Sequence, residues 1–239
     1  MLELNTFSIV GRCERTGRLG VAVSSAVPAV GSMCPYLEAG VGAISTQSWV
    51  NPYLAIAVLD ALRTGATARQ ALDAALAQDS DAALRQIGLI GSHGTGVAWT
   101  GPGCTAWRGH LIGDDHAIQG NMLVGEPTLT AMREAWQRDP AADLAERLMA
   151  ALEAGDRAGG DFRGKQSAAL KIVGDEAYAC VDLRVDEHRE PVAELRRVLE
   201  VARVQLLPFV DGMPRRQGAP RALPEAVTRM LLRPPEERR

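Results

Sequence analysis

This sequence has little lysine, few cysteines, few aromatic residues and no long hydrophobic run. Only Lys165 and Lys171 are lysines. The formal net charge is -3, so the chain lacks the clustered basic surface that nucleic acid binding requires. No apolar run reaches the length of a membrane span, and the first ten residues lack the basic start of a secretory signal. We therefore expect no nucleic acid or membrane partner, and a cytoplasmic protein.

Metal and cofactor signatures are missing as well. The cysteines form no CxxC pair and no histidine lies at metal-ligand spacing from them; they are Cys13, Cys34, Cys104 and Cys180. The sequence contains no phosphate-binding loop and no dinucleotide fingerprint. We expect no metal, no disulfide framework and no cofactor, which leaves a small-molecule or peptide-like substrate.

The chain is long enough for one sizeable domain. It has 239 residues, of which 46% are hydrophobic and 23% are charged. We place this domain at residues 1–207. Prolines and arginines accumulate beyond Pro208, so residues 208–239 are predicted to form a C-terminal arm with a short helix around Glu225 to Leu232.

Strand patterns and helix patterns alternate in groups along the domain. Strands are predicted at 4–10, 18–25, 40–49, 85–91, 96–100, 104–113, 116–121, 166–174 and 177–185. Helices are predicted at 53–63, 67–78, 127–137, 141–154 and 191–206. Strands that come in hairpins do not make a doubly wound parallel sheet. We predict an α+β fold, a four-layer αββα sandwich of two antiparallel sheets with a helical pair over each outer surface.

The glycine-rich run GDRAGGDFRGKQSAAL, residues 155–170, joins a helix pattern to a strand pattern. Its glycines permit backbone conformations that side chains forbid and allow close approach to a ligand. Asp161, Arg163, Lys165 and Gln166 add charges and hydrogen-bonding groups, so this segment is a candidate substrate-binding loop. The alternative is a solvated connection between helix and strand.

The opening strand carries the candidate nucleophile. Alternation places Thr6 and Ser8 on one face of this strand, opposite its apolar side chains. A threonine hydroxyl becomes a nucleophile when its own α-amino group is free to act as the base. Because Leu2 is too large for removal of Met1, that mechanism requires cleavage between Asn5 and Thr6. The alternative is an ordinary strand threonine.

Neutral polar side chains follow other strands. Thr46, Gln47 and Asn51 lie where the 40–49 strand ends, and Gln119 and Asn121 flank a glycine at the end of another. Such groups could bind an amide or an oxyanion. Alternatively, Asn51 before a proline is a helix cap, and Gln119 and Asn121 mark a turn.

A cysteine and a histidine offer a different nucleophile and base. Cys104 and His110 lie in the segment TGPGCTAWRGH. Their separation in sequence does not establish contact, and most isolated cysteines are buried and inert.

The segments TFSIV, GVGAISTQSWVNP, RQIG, CTAWRGH, QGNMLVG, LAERLMAALEAGDRAGGDFRGKQSAAL and VDLRVDEH occur in this order. Together they resemble a bacterial family catalogued as domain of unknown function 1028, whose fold is similar to that of the N-terminal nucleophile (Ntn) hydrolases. The resemblance runs from about Thr6 to Leu199. It implies the αββα fold and a pocket near the opening strand, with Thr6 at the position of a threonine nucleophile.

The leading hypothesis is an amidohydrolase for a small amide, ureido compound or short peptide. Thr6 would attack the carbonyl, and Gln47, Asn51 or Asn121 would stabilise the oxyanion. The predicted substrate-binding residues are Ser8, Thr46, Gln119, Asp161, Arg163, Lys165 and Gln166. The alternatives are a non-catalytic small-molecule-binding protein on the same fold and a hydrolase that uses Cys104. We also expect a homo-oligomer.

Overall fold

The computed structural model describes residues 3–4, 6–218 and 222–238, and its strands form two antiparallel sheets. The first sheet contains β1 (Glu3–Leu4), β4 (Pro35–Glu38), β5 (Gly42–Trp49), β6 (Arg85–Gly91) and β7 (Val97–Thr100). Its order is β1-β5-β6-β7, and β4 also pairs with β5. The second sheet contains β2 (Thr6–Arg12), β3 (Leu19–Ser25), β8 (Gly109–Ile112), β9 (His116–Gly120), β10 (Ser167–Val173) and β11 (Ala179–Val185). Its order is β11-β10-β3-β2-β9-β8.

Helices cover the outer face of each sheet. The helices α1 (Pro52–Arg63) and α2 (Ala68–Leu76) pack on the first sheet. The helices α3 (Pro127–Arg138), α4 (Leu144–Arg157) and α5 (Pro191–Gln205) pack on the second. Within the described residues, no helix combines the length and the apolar character that a membrane crossing needs.

Strand alternation separates the hydrophobic core into layers. On β2, Phe7 and Ile9 point toward α3 and α4, whereas Val10 points between the sheets. On β5, Ile44 packs under α1 and α2, whereas Ala43 lies between the sheets. Because successive side chains of a strand face opposite sides, each sheet buries both of its faces. The predicted αββα sandwich is confirmed, with a third helix over the second sheet.

Some strands and helices begin or end at residues other than the predicted ones. The predicted strand 104–113 was wrong at its start, because only Gly109–Ile112 pairs with β9 and residues 101–108 form a loop. The strand Pro35–Glu38 lies between two predicted strands, in a segment for which no strand was predicted. The helix α4 begins at Leu144 because the Asp143 side chain accepts a hydrogen bond from the backbone N–H of Glu146.

The residues after α5 contain the short helices α6 (Leu207–Asp211) and α7 (Glu225–Leu231). The Tyr178 hydroxyl donates to the carbonyl of Pro214 at 3.1 Å, and the backbone N–H of Arg216 donates to Glu176 at 3.1 Å. These bonds hold part of the arm against the turn between β10 and β11.

Candidate functional site

The polypeptide passes from one sheet to the other between Leu4 and Thr6. Leu4 pairs with Ser48 of β5 in the first sheet, whereas Thr6 pairs with Ser25 of β3 in the second. The Thr6 side chain is fully buried, and its hydroxyl donates to Ser25 Oγ at 3.3 Å. The candidate nucleophile therefore lies between the sheets, at the first residue of β2.

A group of buried polar side chains surrounds Thr6, and we call it the amide cluster (Ser8, Gln47, Gln86, Gln119 and Asn121). Each of its members has 0% exposed surface. Ser8 Oγ donates to Gln47 Oε1 at 2.6 Å and accepts from Gln119 Nε2 at 2.6 Å. Gln86 Oε1 accepts from Gln47 Nε2 at 2.8 Å and from Asn121 Nδ2 at 2.9 Å. The cluster thus joins strands of both sheets.

The amide cluster contacts the main chain of Thr6 directly. The Thr6 carbonyl accepts from Gln47 Nε2 and from the backbone N–H of Asn121, both at 3.1 Å. Two acceptors of the cluster, Gln119 Oε1 and Asn121 Oδ1, have no hydrogen-bond partner among the described residues. A buried acceptor left unpaired costs about 1–3 kcal/mol, so such groups mark places where a ligand can donate.

Sequence reasoning missed Gln86, although a signal was present. Gln86 alternates with Ile87 and Leu89, whose side chains pack under α1 and α2, so its amide must face the other sheet. Gly88 lies on the same face, where an added Cβ would approach Gln119 Oε1 to 1.8 Å. A glutamine and a glycine on the inner face of an otherwise apolar strand could have indicated the cluster.

The glycine-rich loop borders the Thr6 site. Three of its glycines adopt positive φ: Gly159 at 109°, Gly160 at 52° and Gly164 at 106°. The carbonyl of Gly160 accepts from the backbone N–H of Val124 at 3.1 Å. At the other end of the loop, the backbone N–H of Gln166 donates to the carbonyl of Ser25, the pairing partner of Thr6, at 2.8 Å.

The charged side chains of this loop are compensated by nearby charges of opposite sign. Asp161 is buried and pairs with Arg163 at 3.1 Å. Lys165 pairs with Asp156 at 2.9 Å and with Glu190 at 2.6 Å. Burial lowers the pKa of Lys165, but its bonds to these two carboxylates outweigh that effect and raise the pKa above its usual value. Lys165 is therefore a structural cation in this structure rather than a base.

Two predicted site residues lie elsewhere. Asn51 caps α1, since its side chain accepts from the backbone N–H of Tyr53 at 3.1 Å and donates to Asp79 at 2.9 Å. Thr46 precedes Gln47 on β5, so alternation directs its side chain toward the helices over the first sheet. The structure therefore does not bring Asn51, predicted for oxyanion binding, or Thr46, predicted for substrate binding, into the amide cluster.

The structure does not join Cys104 and His110. The buried Cys104 thiol donates to the carbonyl of Arg85 at 3.3 Å, and His110 Nδ1 bonds Thr100 Oγ1 at 2.9 Å. No hydrogen bond links the two side chains within the described part of the chain. In those same residues, no group of histidine, cysteine, aspartate and glutamate side chains is arranged to hold a metal ion.

The protein belongs to the class of αββα-sandwich proteins, and a threonine begins one of its central strands. A family of unknown function, DUF1028, matches residues 6–195, and the chain belongs to that family. No curated protein matches the sequence.

Among solved structures, the chain is similar to protein SPO2555 from Silicibacter pomeroyi, a DUF1028 protein. The two are 28% identical with a TM-score of 0.79, over 89% of this chain and 95% of the other. The Anbu (ancestral beta-subunit) structure from Yersinia bercovieri is 10% identical with a TM-score of 0.39, covering 87% and 99% of the two chains. An Anbu mutant from Hyphomicrobium sp. strain MC1 is 14% identical with a TM-score of 0.38, over 87% and 99%.

Proposed function

We propose that this protein is an Ntn-type amidohydrolase that acts on a small amide, ureido or peptide-like substrate, with Thr6 as the nucleophile. The observation that carries the proposal is the place of Thr6. It is the first residue of β2, it lies between the sheets, and its carbonyl is hydrogen-bonded to Gln47 and Asn121 of the amide cluster. A cytoplasmic location and a homo-oligomeric state belong to the same proposal.

The reaction requires cleavage before Thr6. The freed α-amine takes the proton of Thr6 Oγ1, and the oxygen attacks the substrate carbonyl carbon. The C–N bond then breaks, the leaving amine takes the proton, and an acyl ester remains on Thr6. Water, deprotonated by the same α-amine, hydrolyses this ester and restores the hydroxyl.

The amide cluster supplies neutral groups for substrate binding. Gln47 Nε2 now donates to the Thr6 carbonyl, and Asn121 Nδ2 donates to Gln86 at 2.9 Å, so both N–H donors lie within the cluster around Thr6. One of them would hold the oxyanion of the tetrahedral intermediate. The unpaired oxygens Gln119 Oε1 and Asn121 Oδ1 would accept N–H groups of an amide or ureido substrate.

A second candidate function is small-molecule binding without catalysis. The observation in its favour is that Glu3–Leu4 pairs with β5, so the segment before Thr6 is part of the first sheet. While this segment stays attached, the nitrogen of Thr6 is in a peptide bond and its hydroxyl is buried. The full-length chain, with residues 1–5 attached, would then be the functional form.

Intact mass and amide hydrolysis, measured on the same preparation, separate the two candidates. If the protein is the hydrolase, we expect the mass of a chain that begins at Thr6. We also expect this chain to hydrolyse members of a panel of amides. Thr6→Ala should abolish turnover, Thr6→Ser should retain part of it, and Thr95→Ala, at an exposed threonine, should leave it unchanged. A full-length mass with no turnover, or full activity of Thr6→Ala, contradicts the proposal.

A further inference from the structure

A cavity outside the Thr6 site lies at the side of the sandwich, between the end of β7 and the start of β8. Its volume is about 440 Å³, within the range of small-molecule pockets. Its lining includes Thr100, Pro102, Trp107, Arg108 and His110. None of these residues belongs to the Thr6 site or to the amide cluster.

The aromatic wall of this cavity is fixed by packing. The Trp107 ring lies over Gly109, where an added Cβ would approach Trp107 Cη2 to 2.7 Å. Trp107 also packs against the core of the second sheet, and its carbonyl accepts from the backbone N–H of Leu123 at 3.0 Å. A planar ligand would therefore meet a pre-organised aromatic surface.

The charge of the cavity is positive. Arg108 and His110 line it, and its lining contains no aspartate or glutamate. Among the described residues, the Arg108 side chain forms no hydrogen bond or ion pair. Burial lowers the pKa of His110, and the positive charge of Arg69 on α2 lowers it further. An arginine in a cavity whose lining contains no carboxylate favours an anionic ligand.

Hydrogen bonds hold the His110 ring in place. Gln86 Nε2 donates to Thr100 Oγ1 at 2.9 Å, and Thr100 Oγ1 lies 2.9 Å from His110 Nδ1. In the tautomer of neutral His110 with its proton on Nε2, the Thr100 hydroxyl donates to Nδ1 and the Nε2–H is left for a ligand. The same Gln86 side chain belongs to the amide cluster, so the cavity is connected to the Thr6 site through one residue.

We propose that this cavity binds a small carboxylate with a planar apolar body. Arg108 and the Nε2–H of His110 hold the carboxylate, and the planar body lies against Trp107. Benzoate is the simplest such molecule, and benzamide is its neutral counterpart. The binding site does not depend on whether Thr6 is a nucleophile.

The test is a titration of the full-length protein with benzoate, followed by the indole N–H signal of Trp107 in nitrogen-15 NMR spectra. Trp107→Phe assigns that signal among the four tryptophans. A ligand of this size is expected to bind with a Kd on the order of 1 mM. Benzamide should bind at least tenfold more weakly than benzoate.

Single substitutions test which side chains bind benzoate. Arg108→Gln should weaken benzoate binding at least tenfold, Arg108→Lys should weaken it less, and His110→Gln should weaken it several-fold. Arg138→Gln removes the same charge from an exposed position on α3 and should have no effect. Thr6→Ala should also bind benzoate normally, which separates this site from the proposed catalysis. Equal binding of benzamide, or unchanged binding in Arg108→Gln, overturns the proposal.

Discussion

The contact between Gly88 and Gln119 leaves no room for an additional methyl group. A Cβ on Gly88 would lie 1.8 Å from Gln119 Oε1 and 2.3 Å from its Cδ. Gln119 cannot move away without breaking its 2.6 Å bond to Ser8. We expect Gly88→Ala to lower the free energy of unfolding by about 1–3 kcal/mol, the range typical of overpacked interiors. Urea denaturation followed by circular dichroism measures this change.

Gly174→Ala is the matched control for that substitution. The nearest atom to an added Cβ at Gly174 is Arg18 Nε at 3.6 Å, an ordinary contact distance. We expect it to change stability by less than about 0.5 kcal/mol. If Gly88→Ala is as stable as the wild type, the contact between Gly88 and Gln119 is not tight enough to exclude a methyl group.

The sequence identified most of the residues of the amide cluster but not their connection. Thr6, Ser8, Gln47, Gln119 and Asn121 could each be selected as a polar group near a strand end. Their assembly depends on the pairing of β5 with β6 and on the packing of one sheet on the other, which are long-range contacts. Such contacts leave no local signature, whereas Gln86 was missed although the alternation of β6 carried a signal for it.

At the scale of elements, an ion pair connects β6 to the segment that follows α2. Asp79 accepts from Arg85 Nε at 2.8 Å and from Asn51 Nδ2 at 2.9 Å, and its side chain is 7% exposed. The bond from Arg85, followed by the one from Asn51, lowers the pKa of Asp79 to about 2 despite its burial. These bonds link the start of α1, the Asp79 turn and β6.

This pKa predicts a specific pH dependence of stability. The pKa of Asp79 is lower in the folded chain than in the unfolded chain, so the Asp79–Arg85 pair contributes its full stabilisation above about pH 4. That stabilisation is lost as the pH falls toward 2. The contribution is about 2 kcal/mol. We expect Asp79→Asn to be less stable than wild type by roughly this amount at pH 6, and the difference to shrink between pH 4 and pH 2.

The control is Asp73→Asn, which breaks the exposed pair between Asp73 and Arg69 on α2. Exposed pairs contribute about 0–1 kcal/mol, so this variant should follow the wild type across the same pH range. Denaturant melts at each pH provide the comparison. A constant difference between wild type and Asp79→Asn would show that the Asp79 pKa is not depressed.

Elements were predictable wherever local patterns determined them. Alternation identified β2, β3, β5 and β6, and Thr67 forms a capping box at the start of α2, close to the predicted helix start. Residues 104–108 were predicted to begin a strand, but they belong to the loop 101–108 that precedes β8. Asn51 was ambiguous in the sequence, since an asparagine before a proline can cap a helix or face a ligand. The structure resolves that ambiguity in favour of the cap.

At the scale of the whole molecule, the packed layers end with α5. Val192, Leu195, Leu199 and Ala202 of this helix are buried in the core of the second sheet. In the described residues that follow, Leu207 is partly packed against this core, and no later residue belongs to a core cluster. The arm is attached mainly by exposed bonds such as that between Tyr178 and Pro214. Stability should therefore depend on α5 much more than on the arm.

Truncation tests this division. A chain that ends at Gly212 should unfold cooperatively with a Tm within about 5 °C of the full-length protein, because it loses only surface contacts worth about 1–2 kcal/mol. A chain that ends at Glu190 loses α5 and should not fold, because Val192, Leu195, Leu199 and Ala202 then leave the core. Calorimetry of both chains measures the difference. A large loss of Tm in the longer truncation product would mean that the arm belongs to the folded domain.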